Sequence, residues 1–334
     1  MRLKIEKLIY GGSGVGFIDK MPFFVPATVP GDEIECEITQ KHKGYCEARL
    51  VHIVKASPNR ATPKCAHFGL CGGCQWQHID YAAQLLWKQL ILEEQLKRIG
   101  KIAEPKVLPT IPSPKIWNYR GRVKLQRDKK GRKGFYALGT HDLIEIKECL
   151  IADISAVDRP EGEGFTQVNP LQNENLKKLV AEIARELSSK RILELYSGNG
   201  NLTFSLASKA EHIAAFDSDG RSIREAMKIS NEKKICNIEF AVSSAASALR
   251  GAIRKGKRYD TLIVDPPRDG CKELLRLIPK IGLKNIIYVS CNPSTLARDI
   301  KELVSAGYLF LSSQPIDMFP QTFHIESVSA LAVG

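Results

Sequence analysis

The second half of the chain alternates short apolar segments with patterns typical of amphipathic helices. The apolar segments are residues 191–196, 212–216, 261–264 and 285–289. A helix between two strands returns the chain to the same edge of a sheet, so that the two strands can pair in parallel. The alternation therefore predicts an α/β fold with a doubly wound, Rossmann-like parallel sheet over residues 161–334.

A glycine-containing loop follows the first apolar segment. Tyr196-Ser-Gly-Asn-Gly-Asn201 connects a strand to a helix, and its glycines permit a tight turn and close approach of a ligand to the backbone. Asp217 ends the next strand, where a carboxylate can accept hydrogen bonds from both hydroxyls of a ribose; the alternative is that it caps the following helix. Because the third glycine of G-x-G-x-x-G is missing, the loop favours S-adenosylmethionine over a dinucleotide.

Two later strands also end in residues suited to chemistry. Asp265 precedes two prolines, which give a stiff exit from the strand and hold its carboxylate at the ligand-binding edge of the sheet. Cys291 ends the next strand; a lone cysteine is usually a small buried apolar residue, but this position favours a nucleophile. Glu326 lies in an apolar stretch, which tends to raise a carboxyl pKa, as a general base near neutral pH requires.

The first half of the chain carries most of the excess positive charge. The protein has 49 Lys and Arg residues against 37 Asp and Glu residues, which gives a net charge of +12. Residues 101–133 contain eleven basic residues against Glu104 and Asp128. This distribution favours a polyanion-binding part joined to a separate working part, although a well-solvated surface explains the charge alone about as well.

The pattern of residues 1–56 predicts a small OB-like β-barrel, a shape that often binds nucleic acid. Residues 33–38 and 47–54 are strand-like, and residues 33–38 alternate strictly, as a half-buried strand does. The glycine-rich residues 11–16 are interpreted as a turn rather than a nucleotide loop, because no helical pattern follows them.

Residues 57–160 are predicted to form a central domain, with a helix over residues 81–99 and a linker at residues 153–164. This domain contains a group of cysteines, three of them close together. The candidate metal ligands are Cys65, Cys71, Cys74 and, farther along the chain, Cys149. Four thiolates suit either tetrahedral zinc or a [4Fe–4S] cluster, and the spacing alone does not decide between them.

The cysteine content and the absence of export signals predict a cytoplasmic protein. Nine cysteines, an odd number, occur in a chain large enough to fold without disulfides, which favours free thiols in a reducing compartment. The first residues lack the apolar centre of a signal peptide, and no apolar run has the length of a membrane helix. No sequence feature indicates the oligomeric state.

Six motifs, taken in order, resemble those of the RNA uracil-5 methyltransferases. They extend from end to end of the chain: Cys65-x5-Cys71-Gly-Gly-Cys74-x-Trp-Gln-His78, Phe165-Thr-Gln-Val-Asn-Pro170, Tyr196-Ser-Gly-Asn-Gly-Asn201, Asp265-Pro-Pro-Arg268, Ser290-Cys-Asn-Pro293 and Phe319-Pro-x-Thr-x-His-x-Glu326. The resemblance is to the ribosomal RNA branch of the family, which bears an N-terminal TRAM domain and an iron–sulfur cluster.

The resemblance implies a cofactor, a partner and a role for each site residue. S-adenosylmethionine is the implied methyl donor, with contacts from Gln167, Tyr196, Asn201, Asp217 and Asp265. Cys291 is the implied nucleophile and Glu326 the implied base. A [4Fe–4S] cluster is implied on the four cysteines named above, with an architectural role. The implied partner is RNA, with 23S ribosomal RNA as the expected target and transfer RNA as the alternative.

The sequence departs from the family pattern at several positions. Ser197 stands where the family usually has Cys, Asp217 where it usually has Glu, and Gln321 where His is commoner. Only 17 residues separate Cys149 from Gln167, which suggests that the central domain has lost surface elements used in substrate choice.

Two other functions are compatible with parts of the pattern. The Asp-Pro-Pro motif also occurs in enzymes that methylate exocyclic amino groups, but that chemistry needs no thiol at position 291. A ribosome-assembly factor with a vestigial catalytic fold is the second alternative, against which the retained Cys291 and Glu326 argue.

Overall fold

The computed structural model describes residues 1–123, 125–128, 131–153 and 167–334. Most of the predicted linker at residues 153–164 therefore lies outside the described residues. The chain divides into two compact units. Unit 1 consists of Met1–Ile91, Pro112–Arg159 and Asp317–His324, and unit 2 of Leu92–Ile111, Pro160–Ile316 and Ile325–Gly334. No helix in the described ranges is long and apolar enough to span a membrane.

Unit 1 begins with a six-stranded sheet. Its strands are β1 (Arg2–Lys4), β2 (Lys7–Leu8), β3 (Gly14–Ile18), β4 (Met21–Val25), β5 (Glu33–His42) and β6 (Tyr45–Lys55). They lie in the order β1-β5-β6-β4-β3-β2, and all neighbours are antiparallel except β4 and β6. The apolar side chains of Leu3, Phe23, Val25 and Ile34 are buried together in its core. The two strands predicted here are confirmed, and both are longer than their sequence patterns.

The turn predicted over residues 11–16 is wrong for Gly14 and Gly16, which lie in β3. A Cβ atom on Gly14 would lie 2.2 Å from Oγ1 of Thr28, and one on Gly16 would lie 2.2 Å from the backbone oxygen of Lys4. These glycines are needed because neighbouring chain segments pack against the strand backbone. The turn itself is confined to the residues just before β3.

Helix α1 (Tyr81–Arg98) confirms the helix predicted in the central domain. Asp80 caps its first turn by accepting hydrogen bonds from the backbone N–H groups of Ala82 and Ala83, at 2.9 and 3.2 Å. A small antiparallel sheet follows, made of β7 (Gln126–Arg127), β8 (Lys133–Tyr136) and β9 (Leu143–Glu145).

Unit 2 is built on a seven-stranded sheet. In chain order its elements are α2 (Pro170–Glu186), β10 (Arg191–Leu195), α3 (Thr203–Leu206), β11 (His212–Asp217), α4 (Gly220–Glu232), β12 (Ile238–Val242), α5 (Ala245–Arg254), β13 (Thr261–Val264), β14 (Asn285–Ser290), α6 (Pro293–Ser305), β15 (Tyr308–Ile316) and β16 (Glu326–Val333). The strand order is β12-β11-β10-β13-β14-β16-β15.

The first five strands of this order are parallel, which confirms the predicted Rossmann-like α/β arrangement. Strand β16 differs, since it runs antiparallel between β14 and β15. This reversal was not predicted from the sequence. Its consequence is that the start of β16, rather than its end, reaches the carboxyl edge of the parallel strands.

Candidate active site

The register of the parallel strands brings three predicted site residues to one level at the carboxyl edge. Leu195 of β10 pairs with Phe216 of β11 and with Val264 of β13. The residues that follow these positions are Tyr196, Asp217 and Asp265. The aligned strand ends therefore place them side by side across the middle of the sheet.

The antiparallel register of β14 and β16 brings Cys291 opposite Glu326. Ser290 pairs with Ser327. In an antiparallel ladder, residue numbers rise along one strand as they fall along the other. Cys291, which follows Ser290, therefore lies opposite Glu326, which precedes Ser327. Both residues were predicted separately from the sequence, and the reversed strand explains why they lie opposite each other.

Electrostatics shows that Asp265, Glu326 and Cys291 influence one another. Burial raises the pKa of Asp265 to about 6. Burial and the charge of Asp265 raise the pKa of Glu326 well above its usual range. Burial, and then the charges of Glu326 and Asp265, raise the pKa of the Cys291 thiol to about 11, while the Arg268 guanidinium opposes this effect. In the free protein the thiol is therefore protonated at neutral pH, and Glu326 is a strong base once ionised.

The loop after β13 is fastened to the helix that begins just after Cys291. Asn292 caps α6 by accepting hydrogen bonds from the backbone N–H groups of Ser294 and Thr295. The side-chain amide of Asn292 donates to the backbone oxygen of Arg268 at 3.2 Å, and the Thr295 hydroxyl donates to the same oxygen at 3.0 Å. The Arg268 backbone thus has a fixed position relative to Cys291.

Asp299 is a buried carboxylate that joins this loop to β14 and α6. One of its oxygens accepts hydrogen bonds from the backbone N–H of Cys271 and the hydroxyl of Tyr288, both at 2.8 Å. The other accepts from the Arg298 guanidinium at 2.8 Å. Asp299 was not predicted from the sequence, although a charged residue on the otherwise apolar face of α6 was an available signal.

The glycine loop is held by Asp217, whose two carboxylate oxygens accept backbone N–H groups from Gly198 and Asp219, each at 2.8 Å. The helix cap of α4 is Asp219, not Asp217, so the capping alternative for Asp217 is wrong. Tyr196 has a positive φ of 65°, and Gly198 one of 55°. A Cβ atom on Gly198 would meet no atom within 4 Å, so the loop has open space beside it.

Three buried polar atoms near this loop lack hydrogen-bond partners within the described part of the chain. They are Oε2 of Glu194, Oγ of Ser197 and Oγ1 of Thr203. Burial raises the pKa of Glu194 to about 8, and the nearby Thr203 hydroxyl partly offsets this effect. None of the three residues was singled out as a ligand contact from the sequence. Unsatisfied buried oxygens beside an open loop suit a polar ligand.

The remaining predicted cofactor contacts are Asn201, which is hydrogen-bonded to α2, and Gln167, which precedes α2 in the chain. Asn201 exchanges two side-chain amide hydrogen bonds with Asn173 of α2, at 2.8 and 2.9 Å. Gln167 is half-buried and lies two residues before Asn169, the cap of α2. Asn173 was not identified from the sequence, and it fixes the amide of Asn201 at the end of the glycine loop.

The four candidate metal ligands line a single cavity of about 380 Å³ in unit 1. Burial raises the pKa of Cys74 to about 12; a hydrogen bond with the Gln77 side chain opposes this effect, and the charges of Cys149, Cys71 and Cys65 add to it. Across the described ranges, however, no three His, Cys, Asp or Glu side chains form a group that could hold a metal ion. Metal binding here stays a prediction.

Comparison with known proteins identifies the family. The family model described as tRNA (uracil-5-)-methyltransferase matches residues 137–332, more than half of the chain. This chain belongs to the tRNA (uracil-5-)-methyltransferase family. It is therefore an RNA methyltransferase, which confirms the resemblance and the class of enzyme predicted from the motifs.

Individual relatives of this methyltransferase match over nearly their whole length. An uncharacterized RNA methyltransferase of Bdellovibrio bacteriovorus is 33% identical over 379 residues, covering 100% of this chain and 95% of the relative. One of Listeria monocytogenes is 29% identical over 440 residues, covering 99% and 97%. Since these alignments exceed the 334 residues of the chain, the relatives contain internal segments that this methyltransferase lacks.

A solved structure similar to this methyltransferase is that of the Pyrococcus abyssi tRNA (uracil-54, C5)-methyltransferase in complex with S-adenosyl-L-homocysteine. The TM-score is 0.74 and the sequence identity 25%, covering 99% of this chain and 100% of that chain. The similarity supports the α/β methyltransferase fold.

Proposed function

We propose that the protein forms 5-methyluridine in RNA through a covalent bond between Cys291 and C6 of the target uracil. The observation that carries the proposal is the register of β14 and β16, which supports a thiol and a buried carboxyl group acting on one substrate. Methylation of an exocyclic amino group would need no thiol at this edge, so the pair favours carbon methylation.

The mechanism follows from the electronic structure of uracil. C6 is the far end of an enone, so the Cys291 sulfur adds there after losing its proton to solvent, and the electron pair moves onto C5. When bound, S-adenosylmethionine supplies the methyl group that C5 takes up. The Glu326 carboxylate then accepts the C5 proton; the C5–C6 double bond re-forms, and the S–C6 bond breaks with its electron pair returning to sulfur. The base must leave its stack, since its faces are otherwise covered.

S-adenosylmethionine fits the residues at the glycine loop. The open space beside Gly198 and the unsatisfied oxygens of Glu194 and Ser197 suit a ligand with polar groups. We propose that Asp217 accepts hydrogen bonds from its ribose, with Gln167, Tyr196, Asn201 and Asp265 as further contacts. The complex of the Pyrococcus abyssi neighbour with S-adenosyl-L-homocysteine supports this choice.

The proposal includes a [4Fe–4S] cluster on Cys65, Cys71, Cys74 and Cys149. The four thiols share one cavity and supply the number of sulfur ligands that such a cluster takes. The bound cluster would crosslink the central domain, since the methylation chemistry requires no electron transfer.

Purification without oxygen tests the cluster. We expect brown protein with about four irons per chain, and loss of iron and colour in Cys149→Ser. The control is Cys236→Ser, which changes an exposed thiol outside the cavity and should keep the iron. Stoichiometric zinc without visible absorbance would contradict the assignment.

For the target we propose 23S ribosomal RNA, because the motifs resemble the ribosomal RNA branch. Transfer RNA is the second candidate, favoured by the substrate named for the Pyrococcus abyssi neighbour. We also propose that residues 1–56 form a TRAM-type OB-like domain that binds this RNA, together with the basic residues of the central domain, residues 57–160. Residues 161–334 form the catalytic domain. A cytoplasmic location belongs to the same proposal.

Mapping 5-methyluridine across total RNA, with and without the protein, tests the function. The modification should be lost at one or a few uridines of 23S ribosomal RNA when the gene is deleted, and Cys291→Ala should not restore it. Loss only in transfer RNA would select the second candidate. Unchanged 5-methyluridine throughout would contradict the proposed function.

A further inference from the structure

Four aromatic side chains of unit 1 form a continuous, half-buried surface that the reaction does not use. The rings of Tyr10 and Phe323 meet edge to face, with centroids 5.7 Å apart and an interplanar angle of 88°. The ring centroids of Phe323 and His324 lie 4.5 Å apart, and those of His324 and Phe319 lie 5.6 Å apart. Each ring remains partly accessible to solvent. We call Tyr10, Phe319, Phe323 and His324 the aromatic platform.

The Tyr10 side of the platform is held by a tight turn. Gly11 and Gly12 have φ values of 105° and 95°, which favour glycine. The Trp76 indole N–H donates to the backbone oxygen of Gly12 at 3.2 Å. A Cβ atom on Gly12 would lie 3.1 Å from the Phe323 ring, so the ring packs directly against this turn.

The other side of the platform is held by buried hydrogen bonds around Gln321. Its backbone oxygen accepts the N–H groups of Gln75 and Trp76, at 3.1 and 3.0 Å. Its backbone N–H donates to the side-chain oxygen of Gln84 at 3.0 Å. Gln321 also has a positive φ of 68°, an uncommon conformation for a residue other than glycine. The rings are therefore fixed by the fold.

The start of the same segment is anchored by a fully buried ion pair. Nζ of Lys88 lies 2.5 Å from a carboxylate oxygen of Asp317, and it also donates to the backbone oxygen of Phe319 at 3.0 Å. The Tyr81 hydroxyl donates to the other oxygen of Asp317 at 2.8 Å. Rigid rings lose little entropy when a planar ligand stacks on them.

We propose that unpaired bases of the substrate RNA stack on the aromatic platform, an inference that rests on the proposed function. Removing a uracil from its stack leaves the flanking bases without a neighbour, and aromatic rings replace such a neighbour for any base. Three of the four rings, at positions 319, 323 and 324, lie within seven residues of the proposed base Glu326 along the chain. The net charge of +12 suits the phosphates of such a ligand.

Equilibrium binding of a fluorescein-labelled oligouridine of about 12 nucleotides tests the platform. Phe323→Leu and Tyr10→Leu should each weaken binding about tenfold, because they remove a ring but keep an apolar side chain. The dependence of log K on log salt should keep its slope, since no phosphate contact is lost. Phe323→Tyr should bind as the unchanged protein does.

Phe310→Leu is the matched control, because Phe310 is a half-buried aromatic residue that lies outside the platform and outside residues 1–160, the part of the chain proposed to bind RNA. It should leave oligouridine binding unchanged, and all variants should keep their affinity for S-adenosylmethionine and their melting temperature. Light-induced crosslinking of a 5-iodouridine oligonucleotide should label the peptide that contains residues 319–324.

Several outcomes would overturn the platform. These are equal binding by Phe323→Leu and Phe310→Leu, a changed salt slope in Phe323→Leu, or a dimer of this chain that Phe323→Leu dissociates. The proposed function is tested separately by methylation of total RNA. If the unchanged protein makes no 5-methyluridine while Phe323→Leu still loses oligouridine binding, the function fails and the platform stands; the converse result removes the platform alone.

Discussion

Among single residues, the reactivity of Cys291 is set first by its burial and then by its charged neighbours. The carboxyl groups of Glu326 and Asp265 oppose formation of a thiolate, and the Arg268 guanidinium favours it. In the free protein the Cys291 thiol is therefore protonated, which limits unwanted alkylation. A bound substrate that covers or neutralises a carboxylate would lower the thiol pKa.

The rate at which iodoacetamide alkylates Cys291 should depend on these opposing effects on the thiol pKa. With the thiol pKa at about 11, the rate should rise about tenfold per pH unit above pH 7. Glu326→Gln removes a negative charge and should lower the midpoint pH of the alkylation rate, whereas Arg268→Gln should raise that midpoint. Peptide mass spectrometry across a pH series measures both. A midpoint that Glu326→Gln leaves unchanged would mean that the carboxyl group does not act on the thiol.

Site residues were predictable from the sequence where strand order alone determines their location. Asp265 and Cys291 follow apolar strands, and parallel strands share one carboxyl edge. Asp299 and Asn173 lie inside helices, and only the packing of those helices shows which loops they hold. Their roles depend on distances across the fold, which spacing along the chain does not encode.

At the scale of elements, the loop after β13 depends on a glycine. Gly270 has a φ of 76°, and a Cβ atom there would lie 2.4 Å from Oδ2 of Asp299. The carboxylate is fixed by its bonds to Cys271 and Tyr288, so it cannot move away without losing them. The glycine thus allows the loop to close over Asp299.

Gly270→Ala should lower the free energy of unfolding by about 2–3 kcal/mol and reduce methylation, because it combines backbone strain with steric overlap. Gly282→Ala is the matched control, since Gly282 has a φ of 72° but would meet no atom within 4 Å. It should cost only about 1 kcal/mol and keep full activity. Urea unfolding and methylation assays measure the two effects; equal losses in both variants would show that Asp299 imposes no constraint.

The elements predicted best were those with a strong local pattern. The strands ending at Leu195 and Val264, and the helix starting at Tyr81, have nearly the predicted bounds. The reversal of β16 was not predictable, because its direction is decided by pairing with β14 and β15 and not by its own residues. The same reversal creates the pairing of Cys291 with Glu326.

At the scale of the whole molecule, positive charge is concentrated in the part of the chain outside the catalytic sheet. Residues 101–133 hold eleven basic residues, and Arg122 and Arg127 are exposed among them. Exposed arginines near a polyanion release counterions from it on binding, which makes the affinity depend on salt. Binding of RNA and of the methyl donor are therefore expected to depend on different regions.

Replacing Arg122 and Arg127 together by Gln should weaken RNA binding and reduce the salt slope by about 1 to 2. The affinity for S-adenosylmethionine should stay the same, as measured by calorimetry. The control is Arg224→Gln with Arg250→Gln, which removes the same charge from helices of unit 2. Equal weakening by the control pair would show that the effect is one of net charge alone.

Trapping the covalent adduct shows whether Cys291 adds to the uracil before Glu326 removes the C5 proton. Glu326→Gln keeps the size of the side chain but cannot accept the C5 proton, so the methylated base should remain attached to Cys291. Denaturing electrophoresis with a labelled methyl donor should then show a protein–RNA band that carries the label and disappears when Cys291→Ala is added. A Glu326→Gln protein that turns over normally, or that traps no RNA, would contradict the assignment of Glu326 as the base.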